Sequence, residues 1–165
     1  MKGDAHTISV AVSADVENAV ERIKYQMRGR AYRSANELRN AALLVLRGQR
    51  NGRRYKVPGT YRKQRDKVTG KMKNGRYYTA SAPGEPPAVR TGTFRNSWQP
   101  SARYSDALGE YWSRITSDVR TDNGRHNLGD VLENGTKRMA PRPYDERIIE
   151  KAMPKIRKIY SEPYF

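Results

Sequence analysis

Few residues in this chain have the chemistry of an active site. It has two histidines, His6 and His126, and no cysteine. Neither histidine stands at ligand spacing from a second one, and thiolate metal sites and disulfides are excluded. "DNGRHN" around His126 is slightly similar to the His-Asn pair of some nucleases. Asp-Asn-Gly is, however, a strong turn signal, and it makes His126 a turn residue. Glu17, Glu21 and Glu37 fall in a helical pattern rich in Arg and Lys, where ion pairing is the expected use. Asp145, Glu146 and Glu150 open the last helical pattern, where the helix dipole favours acids. No nucleophile-elbow, Walker or Rossmann pattern is present. Gly124, Gly129 and Gly135 are too widely spaced to wrap a phosphate. The expectation is a protein that is not an enzyme and uses no metal or cofactor.

Charge is the dominant property. The 165 residues carry 33 Lys+Arg against 17 Asp+Glu, a formal net of +16. Such an excess repels itself in a compact state and favours polyanionic partners: nucleic acid first, an acidic protein surface second, an anionic membrane third. The excess is concentrated. Between Gln49 and Thr79 lie Arg50, Arg53, Arg54, Lys56, Arg62, Lys63, Arg65, Lys67, Lys71, Lys73 and Arg76, with Asp66 the one acid. Eleven minus one gives a net of about +10 in this arm. Tyr55, Tyr61, Tyr77 and Tyr78 are interleaved with it. Cations alternating with aromatic rings suit sequence-independent contact with a phosphate backbone. These eleven residues are the expected binding site for DNA or an acidic partner.

The elements that must carry this arm follow from periodicity. Thr7 to Val12 alternates and predicts a short strand, with Ser13 capping the helix that follows. From Ala14 to Gly48 apolar residues recur every three or four positions: Val16, Val20, Ile23, Met27, Ala31, Ala35, Leu38, Ala42, Val45. That helix would be roughly 50 Å long, with a bend expected at Gly29. It is too long to bury its whole stripe on one small body, so part of it is expected to face another subunit. Tyr55-Lys56-Val57 and Arg76-Tyr77-Tyr78 could pair as a loose ribbon around Pro58-Gly59. Thr91 to Trp98 predicts a short helix. Gln99–Ser105 and Glu110–Val119 predict two strands, and Asn127–Glu133 a helical turn. A final helix starts at Pro143 and is expected to kink or break at Pro154. The chain reads as a single domain over 1–165, with the basic arm inserted at about 49–80. No apolar run follows Met1-Lys2-Gly3-Asp4, so no leader is expected, and no window is long enough to span a bilayer.

"SAPGEPPAVRTGTFRNSW" (81–98) places three prolines in a short connector. It contains a P-x-x-P that a polyproline-binding domain could take, but a stiff connector returning the chain from the arm to the body is the preferred reading. Together with "LENGTKRMAPRPY" (132–144), this stretch resembles the neck proteins of long-tailed bacteriophages, a family called tail-completion, head–tail joining or minor tail proteins. Its prototype is gene product ten of a lambdoid phage. The resemblance rests on Ala82-Pro83-Gly84-Glu85-Pro86-Pro87, Arg90-Thr91-Gly92 and Phe94 to Trp98. Downstream it rests on Leu132-Glu133-Asn134-Gly135-Thr136, Met139 and Arg142-Pro143-Tyr144. Asn134 stands where the family usually has an aromatic, and Asn127-Leu128-Gly129-Asp130-Val131 replaces the family's Tyr-Ala-Pro.

The resemblance implies an α+β fold: a long N-terminal helix packed on a small, mainly antiparallel sheet, with a C-terminal helix and a long basic arm. It implies a structural virion protein, a homo-oligomeric ring, commonly a hexamer, between the head connector or its adaptor and the tail terminator or tail tube. The ring would surround the channel for packaged DNA, after assembly in the host cytoplasm. Pro83, Pro86, Pro87, Arg90, Phe94, Trp98, Met139, Arg142 and Tyr144 are then expected at the subunit interface, and no membrane is involved. The alternative is a stand-alone, sequence-independent nucleic-acid-binding protein.

Overall fold

The computed structural model describes the backbone of residues 4–57, 64–65, 67–70, 72–73 and 75–164. Side chains are described from residue 16 onward within those segments, those of 64–65 and 72–73 excepted. Helix α1 (Asp4–Val45) runs for 42 residues, about 63 Å at the usual rise. The strand expected at Thr7–Val12 lies inside this helix, and Ser13 is an interior residue rather than a cap. Alternation alone does not make a strand, which needs a neighbour to pair its backbone groups, whereas a helix satisfies them internally. The helix also passes Gly29 without interruption. Its end is tightened by bonds from Arg47 N to Leu44 O and from Gly48 N to Val45 O.

Beyond the arm, α2 (Thr93–Asn96) follows Gly92 at φ 89°, a left-handed conformation that costs a residue with a Cβ but not glycine. Strands β5 (Gln99–Ser105) and β6 (Glu110–Thr116) pair antiparallel from Gln99↔Thr116 to Ser105↔Glu110. Along β6, Tyr111, Ser113 and Ile115 are half-buried while Trp112, Arg114 and Thr116 are exposed. That alternation puts one face of the hairpin on α1: Ser113 Oγ donates to Ala31 O at 2.8 Å, and Arg39 Nε donates to Trp98 O at 3.0 Å. Helix α3 (Leu128–Asn134) is capped by Asn127, whose Oδ1 accepts from Gly129 N at 2.8 Å. Helix α4 (Asp145–Tyr160) continues through Pro154, so of the expected kink or break the break does not occur. Pro154 is exposed, so the carbonyl that loses its partner can turn to water.

The core sits where α4 packs on α1, beside the start of the hairpin. Ala41, Ala42 and Leu46 of the first helix meet Ile148 and Ala152 of the last, with Trp98 and Tyr144 beside them. The helices run antiparallel: Arg33 pairs with Glu162, and Glu37, one turn on, pairs with Lys155. Alanine at 31, 35, 41 and 42 keeps this face of α1 thin enough for close approach. Each large side chain buried against it, such as Ile148, stabilises the fold by roughly 1.5–3 kcal/mol. The architecture is α+β as expected: a long N-terminal helix on a small antiparallel sheet, closed by a C-terminal helix.

Candidate interaction surfaces

The two segments that carry the family resemblance lie far apart in sequence and meet in space. Gly84 N donates to Pro141 O at 3.1 Å, Arg142 Nη1 donates to Ser81 O at 2.9 Å, and Arg147 Nη2 donates to Gly84 O at 3.0 Å. Phe94, Trp98 and Tyr144 form a triangle of edge-to-face rings with centroids 5.5 to 6.0 Å apart. The site on α3 that faces this triangle is Gly129, where a Cβ would stand 2.9 Å from the Tyr144 hydroxyl oxygen. Gly135, at φ 73°, turns so tightly that a Cβ would meet Met139 O at 2.6 Å. The Tyr144 hydroxyl is pushed well above the usual tyrosine range by burial, and then by the nearby acids Asp145, Glu133 and Asp130. It stays protonated at any physiological pH.

This packing decides what the expected interface residues can do. Trp98 is 8% exposed, Tyr144 2%, and Pro86 and Pro87 are buried too. Phe94 is half-buried in the same cluster, and Arg142 spans the two segments. These six hold the protomer together. Pro83 and Arg90 are exposed and Met139 is half-exposed, so the surface available to a neighbour is smaller than the sequence implied.

The arm rises from a clip that sequence reasoning missed. Glu85, the acid within the prolines, accepts from Asn51 N at 3.0 Å, Asn51 Nδ2 at 2.6 Å and Ala82 N at 2.8 Å. These bonds, led by the Asn51 backbone, hold its carboxyl below the usual range. Arg50 donates to Val45 O at 2.8 Å and to Pro87 O at 3.1 Å. It caps α1 and anchors the connector, and burial lowers its pKa. It therefore belongs to the body rather than to an exposed cationic face. Above the clip, β1 (Arg54–Lys56) pairs antiparallel with β4 (Tyr77–Thr79), so the two segments expected as a ribbon do pair, with Tyr55 opposite Tyr78 and Lys56 opposite Tyr77. A second short pair, β2 (Gln64–Arg65) with β3 (Met72–Lys73), follows.

Arg53, Arg54, Lys56, Lys67 and Arg76 are exposed on this ribbon. Arg65 and Lys73 are placed by backbone only, and Arg62, Lys63 and Lys71 lie outside the described residues, as do Pro58 and Gly59, about which the ribbon was expected. Arg54 and Lys56 lie over the Tyr77 ring, 4.7 and 5.8 Å from its centroid. Tyr55 and Tyr78 pair on the opposite face, 6.0 Å apart. Among the described residues, no salt bridge joins Arg53, Arg54, Lys56 or Lys67 to a carboxylate.

A groove of about 540 Å³ runs between β6 and α4, with Leu38, Trp98 and Ile148 on its floor and Asp118, Asp130 and Asp145 around it. Burial first, and then the acids Glu133 and Asp130, raise the pKa of Asp145. His126 is exposed in its turn, where its backbone N and O both bond Thr121. Among the described residues, no group of three or more His, Asp or Glu could hold a metal ion, and no helix is long and apolar enough to cross a membrane.

A further fixture also escaped the sequence reading. Arg30, 2% exposed, donates to Tyr160 O, Glu162 O and Pro163 O at 3.2, 2.7 and 2.9 Å, and stacks 3.8 Å from the Tyr164 ring centroid. Arg33 adds two bonds to the Glu162 carboxylate. No local pattern ties residues 30–33 to residues 160–164. Comparison with protein-family models, with characterised proteins and with solved structures gives no significant match.

Proposed function

We propose that this chain is a structural protein of a phage neck. In this reading copies form a ring between the head connector and the tail, around the channel that DNA traverses. The supporting observation is the meeting of the two resembling segments: the proline connector and the Arg-Pro-Tyr lead-in to α4 lock together through Arg142, Gly84 and the Phe94–Trp98–Tyr144 triangle. Stiff, internally bonded segments suit a part whose work is docking, because little entropy is lost when a neighbour binds. The head connector or its adaptor lies on one side of the ring and the tail terminator or tail tube on the other. The distal cations of the arm face the DNA. The mechanism is assembly, with no covalent step. The virion neck is then the chain's final location.

The test is genetic and visual. A phage genome that encodes this chain, with the gene deleted, should give DNA-filled heads and separate tails in electron micrographs. Complete infectious particles from the deletion would overturn the reading. The stand-alone nucleic-acid-binding alternative draws on the same basic ribbon, and complete particles together with tight DNA binding by the isolated chain would favour it.

A further inference from the structure

The chain segregates its charge between two projections. One is the ribbon described above. The other is the first half of α1. Residues 4–21 carry Asp4, Asp15, Glu17 and Glu21 and no Lys or Arg, a net of −4 in a chain of net +16. Among the described residues, the first buried position on α1 is Arg30. Before it, Val16 is 57% exposed and Val20 43%, with Glu17 and Glu21 exposed beside them. Positions 16, 17, 20 and 21 share one side of a helix, so two valines and two carboxylates make a single mixed face. Within the protomer, the partner recorded there is Lys24, one turn on, for Glu21.

The ribbon carries the complement. Arg54, Lys56 and Tyr77 lie on one face, with the ring 46% exposed between the cations. The two cations have no carboxylate within the described residues, and the two valines are exposed.

We infer that the Val16–Glu21 face of α1 is the docking site for the Arg54–Lys56–Tyr77 face of a second copy of this chain. Carboxylates meet cations, and the valines cover the tyrosine ring. The two surfaces are different, so the contact is head-to-tail. Repeated, it makes a closed ring or an open filament rather than a two-fold dimer. It rests on the ring reading only for closure; pairwise association does not depend on where the protein works. The cations beyond Lys56 remain for nucleic acid.

The test uses the full chain in sedimentation velocity. Association should be strong in about 50 mM salt and weaken in about 500 mM salt, where screening shortens the reach of charge. Glu17→Lys with Glu21→Lys should weaken it by about ten-fold or more, and so should Arg54→Glu with Lys56→Glu. Mixing the two reversed proteins should restore association, since each then supplies the charge the other requires. Binding of a short DNA duplex, measured alongside, should not weaken in the Glu17→Lys, Glu21→Lys protein. The inference is overturned if the parent chain stays monomeric at low salt, if either reversal leaves association unchanged, or if the mixed pair fails to recover it. None of these results bears on the deletion phenotype, so the two readings fail separately.

Discussion

Arg30 shows what one side chain does for this fold. A guanidinium with 2% exposure requires several acceptors, because an unpaired buried charge is very costly. Here three carbonyls from Tyr160, Glu162 and Pro163 receive it, and the Tyr164 ring lies flat against it. The residue therefore caps the C-terminus of α4 and latches the tail to α1. Replacing it leaves a hole and three carbonyls without partners. Arg30→Ala should lower unfolding free energy by about 2–4 kcal/mol in urea titration. Arg30→Lys should recover little, since an ammonium lacks the planar fork and stacks less well. A loss under about 1 kcal/mol for the alanine variant would show that the latch contributes little.

At the scale of elements, the joint between arm and body is the point most open to control. It is built from Glu85, Asn51 and Ala82, reinforced by Gly52 N donating to Ala80 O at 2.9 Å. Gly52 is required by space: a Cβ there would lie 2.5 Å from Ala80 O. The sign of the pH dependence follows from Glu85. Its folded-state pKa is depressed, so its stabilisation is present above the ordinary carboxylate range and fades as pH falls through the folded value. Glu85→Gln should lower Tm at pH 7, and the gap to the parent should close below pH ~4 as the parent carboxyl takes up its proton. Amide exchange at Asn51 and Ala82 should quicken in the variant at neutral pH. A gap in Tm independent of pH would assign the effect to shape rather than charge.

For the whole molecule, what matters is where the charge sits. The ribbon leaves the body beside the paired residues Arg54 and Thr79, and Ala80 N donates to Arg53 O, so the arm can be excised and its ends rejoined by a short link. Removing residues 54–79 takes away nine of the eleven arm cations and Asp66, a net loss of +8, while Arg50 and Arg53 remain. The excised protein should keep its helical circular dichroism, since the core contacts lie elsewhere. Its affinity for duplex DNA should fall, and the slope of log affinity against log salt should become shallower, because fewer counterions are released. An unchanged slope would move the nucleic-acid contact off the arm.

The sequence by itself determined the parts whose signal is local. The stripe from Val16 to Val45 pointed to the helix, the stretch from Asn127 to Glu133 to a helical turn, and Tyr55-Lys56-Val57 with Arg76-Tyr77-Tyr78 to the ribbon. Charge, too, is a property of composition. What needed tertiary structure was every question of what lies opposite. Thr7–Val12 reads as a strand but lies within α1. Trp98 and Tyr144 read as surface contacts until they are found packed on Phe94, and Arg50 as an arm cation until Val45 O and Pro87 O are found in front of it. Arg30 and Glu85 could not be read at all. Their partners are brought near by the crossing of α1 and α4 and by the return of the proline connector. Periodicity encodes which face of an element is apolar; only packing in three dimensions decides which distant group that face meets.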